Sequence, residues 1–251
     1  MSLLVTGATG YLGRELLRRT EAVGISSRDA DIRDAAAVAT LFERLRPEAA
    51  INTAYRHDDR ATTFDGAAHV AAAAAAVGAR LVHLSTDVVF DGEKGEPYVE
   101  EDEPAPLTDY GRAKADAERA VLEAHPGALV VRTSLIYGGL QPGPQERLAA
   151  DPDASFFTDE VRCPIQVGDL AQALIELSRR ELGGRLHVAG ADRLSRREFA
   201  ELLAGRAVRA AKSSDSGLVR PRDCSLAIDR ARELLHTRLR GAREVLQVQH
   251  P

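Results

Sequence analysis

The first apolar run, Leu3–Val5, stops at Thr6-Gly7, and apolar positions then recur one helical turn apart at Leu12 and Leu16. Short apolar runs bounded by glycine or proline read as buried strands, and a turn-spaced apolar stripe reads as a helix. These two patterns predict a strand from residue 2, a helix, a short strand at Ala22–Ser26 and a helix from Asp34 to Arg46. Asp34 caps that helix, Val38, Leu41, Phe42 and Leu45 form its stripe, and Pro47 lies just past its end. Ala49–Thr53 is the third strand, an alanine-dominated helix runs through Ala67–Val77 to Gly78, and Arg80–Ser85 is the fourth strand. The six consecutive alanines predict tight helix–sheet packing, not low-complexity disorder. A loop rich in glycine, proline and acids, Asp91–Pro106, is long enough to be functional. A helix carrying Tyr110, a strand at Ala128–Thr133, a helix at Gly168–Arg180 and a strand at Arg185–Val188 follow. The chain closes with a short helix at Arg196–Leu203, an irregular stretch through Asp223 and helical turns.

Strands and helices alternating at this spacing predict an α/β fold, a Rossmann-type doubly wound parallel sheet with a small C-terminal substrate lobe. No repeat or linker interrupts the chain, so one compact unit is expected. Residues 1–137 would form the dinucleotide-binding core, completed by 166–188, with 138–251 mainly the substrate lobe, interleaved with that core. In an open parallel sheet, ligands bind beyond the carboxyl ends of the strands. Four marked segments fall there: Gly7–Gly13, Ser27–Ile32, Asn52–Tyr55 and Ser85-Thr86-Asp87.

The first of these, Gly7-Ala-Thr-Gly10-Tyr-Leu-Gly13, lies between a strand and a helix, the context a dinucleotide fingerprint requires. Its glycines let the backbone turn tightly and approach a pyrophosphate, whose charge then faces a helix N-terminus. An ordinary glycine-rich turn is the plainer alternative. Further along, Tyr110-Gly-Arg-Ala-Lys114 places a phenol and an ammonium one turn apart on one helix face. Thirty of the thirty-three basic residues are arginine, so a lysine at this spot stands out. A compact ammonium can lower the pKa of a neighbouring phenol and make it a proton donor near neutrality.

Gly-x-x-Gly-x-x-Gly with a later Tyr-x-x-x-Lys resembles the extended short-chain dehydrogenase/reductases. Ser85-Thr-Asp-Val-Val-Phe-Asp-Gly92, Glu103-Pro104 and Pro106-Leu-Thr-Asp-Tyr110-Gly-Arg-Ala-Lys114 narrow the likeness to the dTDP-4-dehydrorhamnose reductases. Val131-Arg-Thr-Ser-Leu-Ile-Tyr137-Gly, Val167-Gly-Asp-Leu-Ala and Arg220-Pro-Arg-Asp are similar to that family as well. The resemblance implies an NAD(P)H-dependent reductase of a 4-keto-6-deoxy sugar nucleotide or a related ketone. It also implies Thr86, Tyr110 and Lys114 as catalytic residues: Thr86 bonded to the substrate oxygen, Tyr110 protonating it, Lys114 holding the nicotinamide ribose. The cofactor residues it implies are Gly7, Thr9, Gly10, Tyr11, Leu12, Gly13, Ser27, Arg28, Asp31, Ile32, Asn52, Thr53, Ala54 and Ser85, together with Tyr110 and Lys114.

One position separates the chain from a related family, and two features depart from the reductase pattern itself. Val88 stands where related 4,6-dehydratases carry a glutamate, which argues against dehydration. Thr108 replaces a frequent asparagine. The proline-containing segment Gly138–Gln166 is shorter than its counterpart, where another helix covers the sugar nucleotide. Two alternatives keep the same motifs. One is an NADP-binding regulatory subunit like that of methionine adenosyltransferase, whose basic-acidic loop is echoed by Arg56-His-Asp-Asp-Arg60, although a solvated charge run explains that segment too. The other is a sugar-nucleotide epimerase.

After the second strand, NAD sites place a carboxylate for the ribose 2′-hydroxyl and NADP sites an arginine for the 2′-phosphate. Ser27-Arg28 stands there with Asp29 and Asp31 just behind, which favours NADPH over NADH. A net charge of −5 and a pI near 5.8 argue against a nucleic-acid or anionic-membrane partner. No apolar stretch approaches membrane length, and a first strand at residue 2 leaves no room for a signal peptide. Cys163 and Cys224 lack metal spacing, as do the seven histidines, so no metal site and a cytoplasmic setting are expected. A homodimer is left open.

Overall fold

The computed structural model describes residues 1–247, and His250 of the histidine set lies outside them. In chain order the first elements are β1 (Leu3–Thr6), α1 (Tyr11–Arg19), β2 (Val23–Ile25), α2 (Ala35–Leu45), β3 (Ala49–Asn52), α3 (Gly66–Ala76), β4 (Arg80–Thr86), α4 (Asp109–Ala124) and β5 (Leu129–Thr133). They are followed by β6 (Ile136–Tyr137), α5 (Pro144–Ala150), β7 (Ser155–Phe157), β8 (Val161–Arg162), β9 (Ile165–Gln166) and α6 (Val167–Ser178). The last are β10 (Gly184–His187), β11 (Leu194–Ser195), α7 (Arg196–Ala204), β12 (Arg209–Ala211), α8 (Asp229–Leu234) and α9 (Ala242–Gln247). The fold is the expected α/β class: a six-stranded parallel sheet in the order β10-β5-β4-β3-β1-β2.

The chain divides into two compact units. The first contains residues 1–85, 109–131 and 171–186; the second contains 86–108, 132–170 and the chain from 187 onward. Thr86–Thr108 therefore clusters with the later segments, although it precedes the boundary at residue 137 read from the sequence.

In the first unit, β1 pairs in parallel with β2 and β3, Leu4 opposite Val23 and Leu3 opposite Ala49, and β3 pairs with β4, Ala49 opposite Arg80. β1 and β3 are buried on both faces, which is why they read as continuous apolar runs, whereas β2 at the sheet edge leaves Val23 exposed. One cluster joins Leu4, Ile25, Ala50, Leu81 and Val130 of the sheet to Val38, Leu41 and Phe42 of α2, Val70 of α3 and Val121 of α4. The side chain of Asp34 accepts from the amides of Ala36 (3.0 Å) and Ala37 (3.1 Å), closing the N-terminus of α2 as its position predicts. In α3 the side chains of Ala67, Ala71 and Ala74 are fully buried, so the polyalanine run is a packing surface. A π-helical turn, Ala61–Asp65, precedes it, which no local pattern announces.

The second unit is built on short pairings: β6 with β9, β8 antiparallel to β11, and β12 with β7. Its apolar centre gathers Tyr137, Leu194, Phe199, Ala242, Val245 and Leu246, with the Tyr137 and Phe199 rings edge to face at 5.3 Å. The stretch before Asp223, expected to be irregular, contains β12 and a 3-10 turn at Ser213–Ser216. A three-residue strand whose partner is more than fifty positions away leaves no periodicity to detect. The shortened segment after Gly138 still carries the seven-residue helix α5. The acidic loop is organised from within: Phe90 and Tyr98 stack at 4.0 Å, and the Tyr98 hydroxyl donates to Asp91 and accepts from the Gly92 amide. Among the described residues no helix is long and apolar enough to cross a membrane.

Candidate active site

The turn after β1 has little tolerance for a side chain. Gly7 has φ +72°, and a Cβ on it would lie 2.7 Å from Thr53 Oγ1 and 2.8 Å from the Ala54 amide. A Cβ on Gly13 would lie 2.2 Å from the Gly7 carbonyl, so α1 packs directly on the turn. Gly10 caps α1 without a side-chain bond, and its amide bonds the Gly7 carbonyl at 2.9 Å. The result is a narrow cradle that leads into the positive end of a helix. Thr9 and Gly10 are exposed there and Tyr11 half-buried, whereas the Leu12 side chain is buried beneath them.

After β2 the carboxylates are already committed. Asp29 accepts from the Ser26 amide and hydroxyl. Asp31 is gripped by Arg33 through Nε and Nη2, at 3.0 and 2.6 Å, which pulls its pKa down to about 2. Ser27 and Arg28 are exposed, and the Arg28 guanidinium makes no hydrogen bond or ion pair with any described residue. Ile32 is buried, and a Cβ on Gly66 would meet its side chain at 2.6 Å, so α3 and this loop are in close contact.

At the end of β3 the side chains turn inward. Asn52 is fully buried, accepting from Thr6 Oγ1 (2.6 Å) and the Ala54 amide (3.1 Å), with its amide nitrogen 3.1 Å from His83 Nδ1. The Thr53 hydroxyl donates to the Thr6 carbonyl at 2.8 Å. These two residues brace the cradle, and Thr53 and Ala54 are half-buried beside it. His83 is a strand residue as expected; its Nε2 is buried without a partner, and burial with the nearby Lys114 charge holds its pKa well down.

Tyr110 sits in the first turn of α4, half-buried, and Lys114 lies one turn on, 3% exposed. Lys114 Nζ donates to the Leu84 carbonyl at 2.5 Å, two residues before Thr86. Burial lowers its pKa to about 8, partly opposed by the charge of Glu118. Glu118, one turn beyond Lys114, is fully buried, accepts from Ser85 Oγ at 2.5 Å and pairs with Arg185 at 3.4 Å. The Ser85 side chain, expected at a cofactor, is thus bonded to α4. Glu118 went unnoticed in the sequence, although Tyr110, Lys114 and Glu118 at i, i+4 and i+8 form one stripe.

The segment Arg56–Arg60 is more than a solvated charge run. The His57 ring stacks on Tyr110 at 4.6 Å and 15°, Tyr55 tilts against it at 5.9 Å, and Arg60 reaches Asp116 at 2.8 Å. No local signal in the sequence points to that stacking.

In the second unit, Thr86 caps the 3-10 turn Asp87–Val89, accepting from the Val88 amide at 3.4 Å. Asp87 is buried, accepts from Ser134 Oγ at 2.6 Å and lies 3.8 Å from Arg162; burial raises its pKa against these partners. Cys163 and Cys224 are free and buried, which pushes the Cys163 thiol up to about 12 and raises that of Cys224 too. Among the described residues no three His, Cys, Asp or Glu side chains converge as a metal set.

A parallel sheet, a glycine cradle under a helix N-terminus and a Tyr-x-x-x-Lys helix anchored to a strand end define a Rossmann-type protein of the short-chain dehydrogenase/reductase kind. The family described as "RmlD substrate binding domain" matches residues 1–248, and the chain belongs to it. A dTDP-4-dehydrorhamnose reductase of Streptomyces griseus is 40% identical over 201 residues, 72% of this chain and 66% of that enzyme. A dTDP-4-dehydrorhamnose reductase of Bacillus anthracis, solved in complex with NADP, superposes with a TM-score of 0.89 at 28% identity, covering 99% of this chain and 98% of that one. Methionine adenosyltransferase 2 subunit beta of Rattus norvegicus is 31% identical over 233 residues, 79% of this chain and 70% of that protein.

Proposed function

We propose that the chain is an NADPH-dependent reductase of a 4-keto-6-deoxy sugar nucleotide. The observation that carries this is Lys114: a lysine buried at real cost, fastened to the end of β4, one turn from a half-buried tyrosine. Burying an ammonium is unfavourable unless its charge is used or paired. The reductase relatives and the NADP-bound neighbour support the activity and the cofactor.

The residues fit NADPH. The glycine cradle has room for backbone but not for side chains, as a pyrophosphate demands. Arg28, unpaired beside carboxylates already taken, suits a 2′-phosphate. When bound, the cofactor supplies the hydride. Tyr110 donates its phenolic proton to the ketone oxygen as charge develops there, and the Thr86 hydroxyl gives that oxygen a second hydrogen bond. Lys114, protonated below about pH 8, stabilises the tyrosinate left behind and orients the ribose. The stacked His57 and the neighbouring Tyr55 hold the Tyr110 ring in place.

The test is NADPH oxidation with a dTDP-4-keto-6-deoxy sugar. Wild type should turn over, and Tyr110→Phe should bind NADPH normally while losing about 10²–10⁴-fold in kcat. NADPH binding without turnover of any ketone would favour the regulatory-subunit reading, and product formation without net cofactor consumption an epimerase.

A further inference from the structure

We infer that His57 is a positioning residue for the proton transfer: as an imidazolium stacked on Tyr110, it supports the negative charge the phenol acquires on giving up its proton. The assignment rests on the reductase reading above, in which Tyr110 is the acid. Both residues belong to the first unit, His57 in the loop between β3 and the π-helical turn and Tyr110 in the first turn of α4.

The loop is fastened on both sides of that ring. Thr63 Oγ1 accepts from the Arg56 amide at 3.2 Å and donates to the Arg56 carbonyl at 2.7 Å. Just past His57, Asp59 accepts from the amide and the hydroxyl of Thr62, at 3.2 and 2.7 Å. Arg60 then reaches Asp116 at 2.8 Å, which ties the loop to the same helix that carries Tyr110. Between these ties the imidazole lies almost parallel to the phenol ring, with 15° between the planes and 4.6 Å between the centroids.

Among the charged groups of the loop, Arg56 is exposed, Asp59 is engaged by Arg33 at 3.5 Å and Arg60 by Asp116. Asp58 is the carboxylate left to His57, 2.9 Å from Nδ1, so Nδ1 donates to it. The two cationic side chains that serve Tyr110 then differ in kind. Lys114 is buried and pinned to the Leu84 carbonyl, whereas the His57 side chain is 69% exposed and exchanges protons with solvent directly. When Tyr110 releases its proton, the charge left on the oxygen spreads by resonance over the ring that His57 covers. A cation on an aromatic face is attracted even to a neutral ring, and more strongly to a phenolate. Histidine changes charge between about pH 5 and 8, so this support grows as pH falls, in a range where Lys114 is already an ammonium.

The test compares wild type with His57→Phe, which keeps a ring on Tyr110 and removes the charge. In NADPH oxidation with a dTDP-4-keto-6-deoxy sugar, the ratio of wild-type to variant kcat should rise from near one at about pH 9 to about three- to tenfold at about pH 6. Any effect of Lys114 titration is common to both proteins and cancels in the ratio. A ratio that stays constant with pH, whether at one or at some larger value, overturns the proposal, because packing alone would then explain the ring. A second measurement needs no turnover. The His57 ring protons are followed by NMR through a pH titration of the cofactor-free protein, and His57→Phe identifies their signals among the seven histidines. Tyr110→Leu, which removes the face beneath the imidazole, should move the midpoint of that titration down by about half a pH unit. An unmoved midpoint also overturns the proposal. A moved midpoint in a protein that reduces no sugar nucleotide would instead keep the charge-bearing stack and sink the reductase reading.

Discussion

Glu118→Gln isolates the one charge that supports Lys114. The substitution keeps size and an oxygen acceptor for Ser85 Oγ, and Arg185, 35% exposed, can hydrate on losing its partner. What disappears is the carboxylate charge that raises the Lys114 pKa against burial. Residues one helical turn apart are about 5–6 Å apart at Cβ. At an effective dielectric of about 20 that charge is worth on the order of 2–3 kcal/mol, or roughly two pH units at about 1.36 kcal/mol each. Because activity needs the ammonium, kcat/KM of wild type should fall as pH rises through about 8. In Glu118→Gln that alkaline limb should move to lower pH by about one unit or more, leaving the enzyme weak at pH 8 and substantially recovered near pH 6. The assay is the pH profile of NADPH oxidation, with a thermal melt to show that the variant is folded. A folded Glu118→Gln whose alkaline limb coincides with that of wild type would refute the idea that Glu118 sustains Lys114.

Arg28→Ala should lower the kcat/KM ratio of NADPH to NADH by about tenfold or more, because one charged partner of the 2′-phosphate is gone; an unchanged ratio would remove Arg28 from the cofactor site. Gly13→Ala should lose NADPH affinity and about 1–3 kcal/mol of stability in a denaturant titration, since its Cβ would lie 2.2 Å from the Gly7 carbonyl. Asp34→Ala should cost about 1 kcal/mol, measured the same way, with kinetics untouched, because it strips the two cap bonds of α2. The lowered Lys114 pKa means the unfolded chain binds more protons between about pH 8 and the ordinary lysine range. The stability of wild type relative to Lys114→Met should therefore improve as pH rises across that window, as followed by melts at pH 7.5 and 10.

By itself the sequence determined whatever is written within one turn or one short run. The buried strands show as apolar runs, the start of α2 as Asp34 ahead of its stripe, and the nucleotide cradle as three glycines between a strand and a helix. The Tyr110–Lys114 pair is legible because a helix brings i and i+4 together whatever surrounds it. Tertiary structure decided everything that joins distant positions. Ser85 meets Glu118 across 33 positions, Asn52 meets His83 across 31, and the His57 ring covers Tyr110 from 53 positions away. The small pairings of the second unit, two or three residues long, are equally silent in the sequence. The physical reason is that local propensity acts over a few bonds, whereas burial, charge and ring stacking act through space. Only the assembled fold separates an arginine that is buried and tied, such as Arg162, from one that is exposed, such as Arg28.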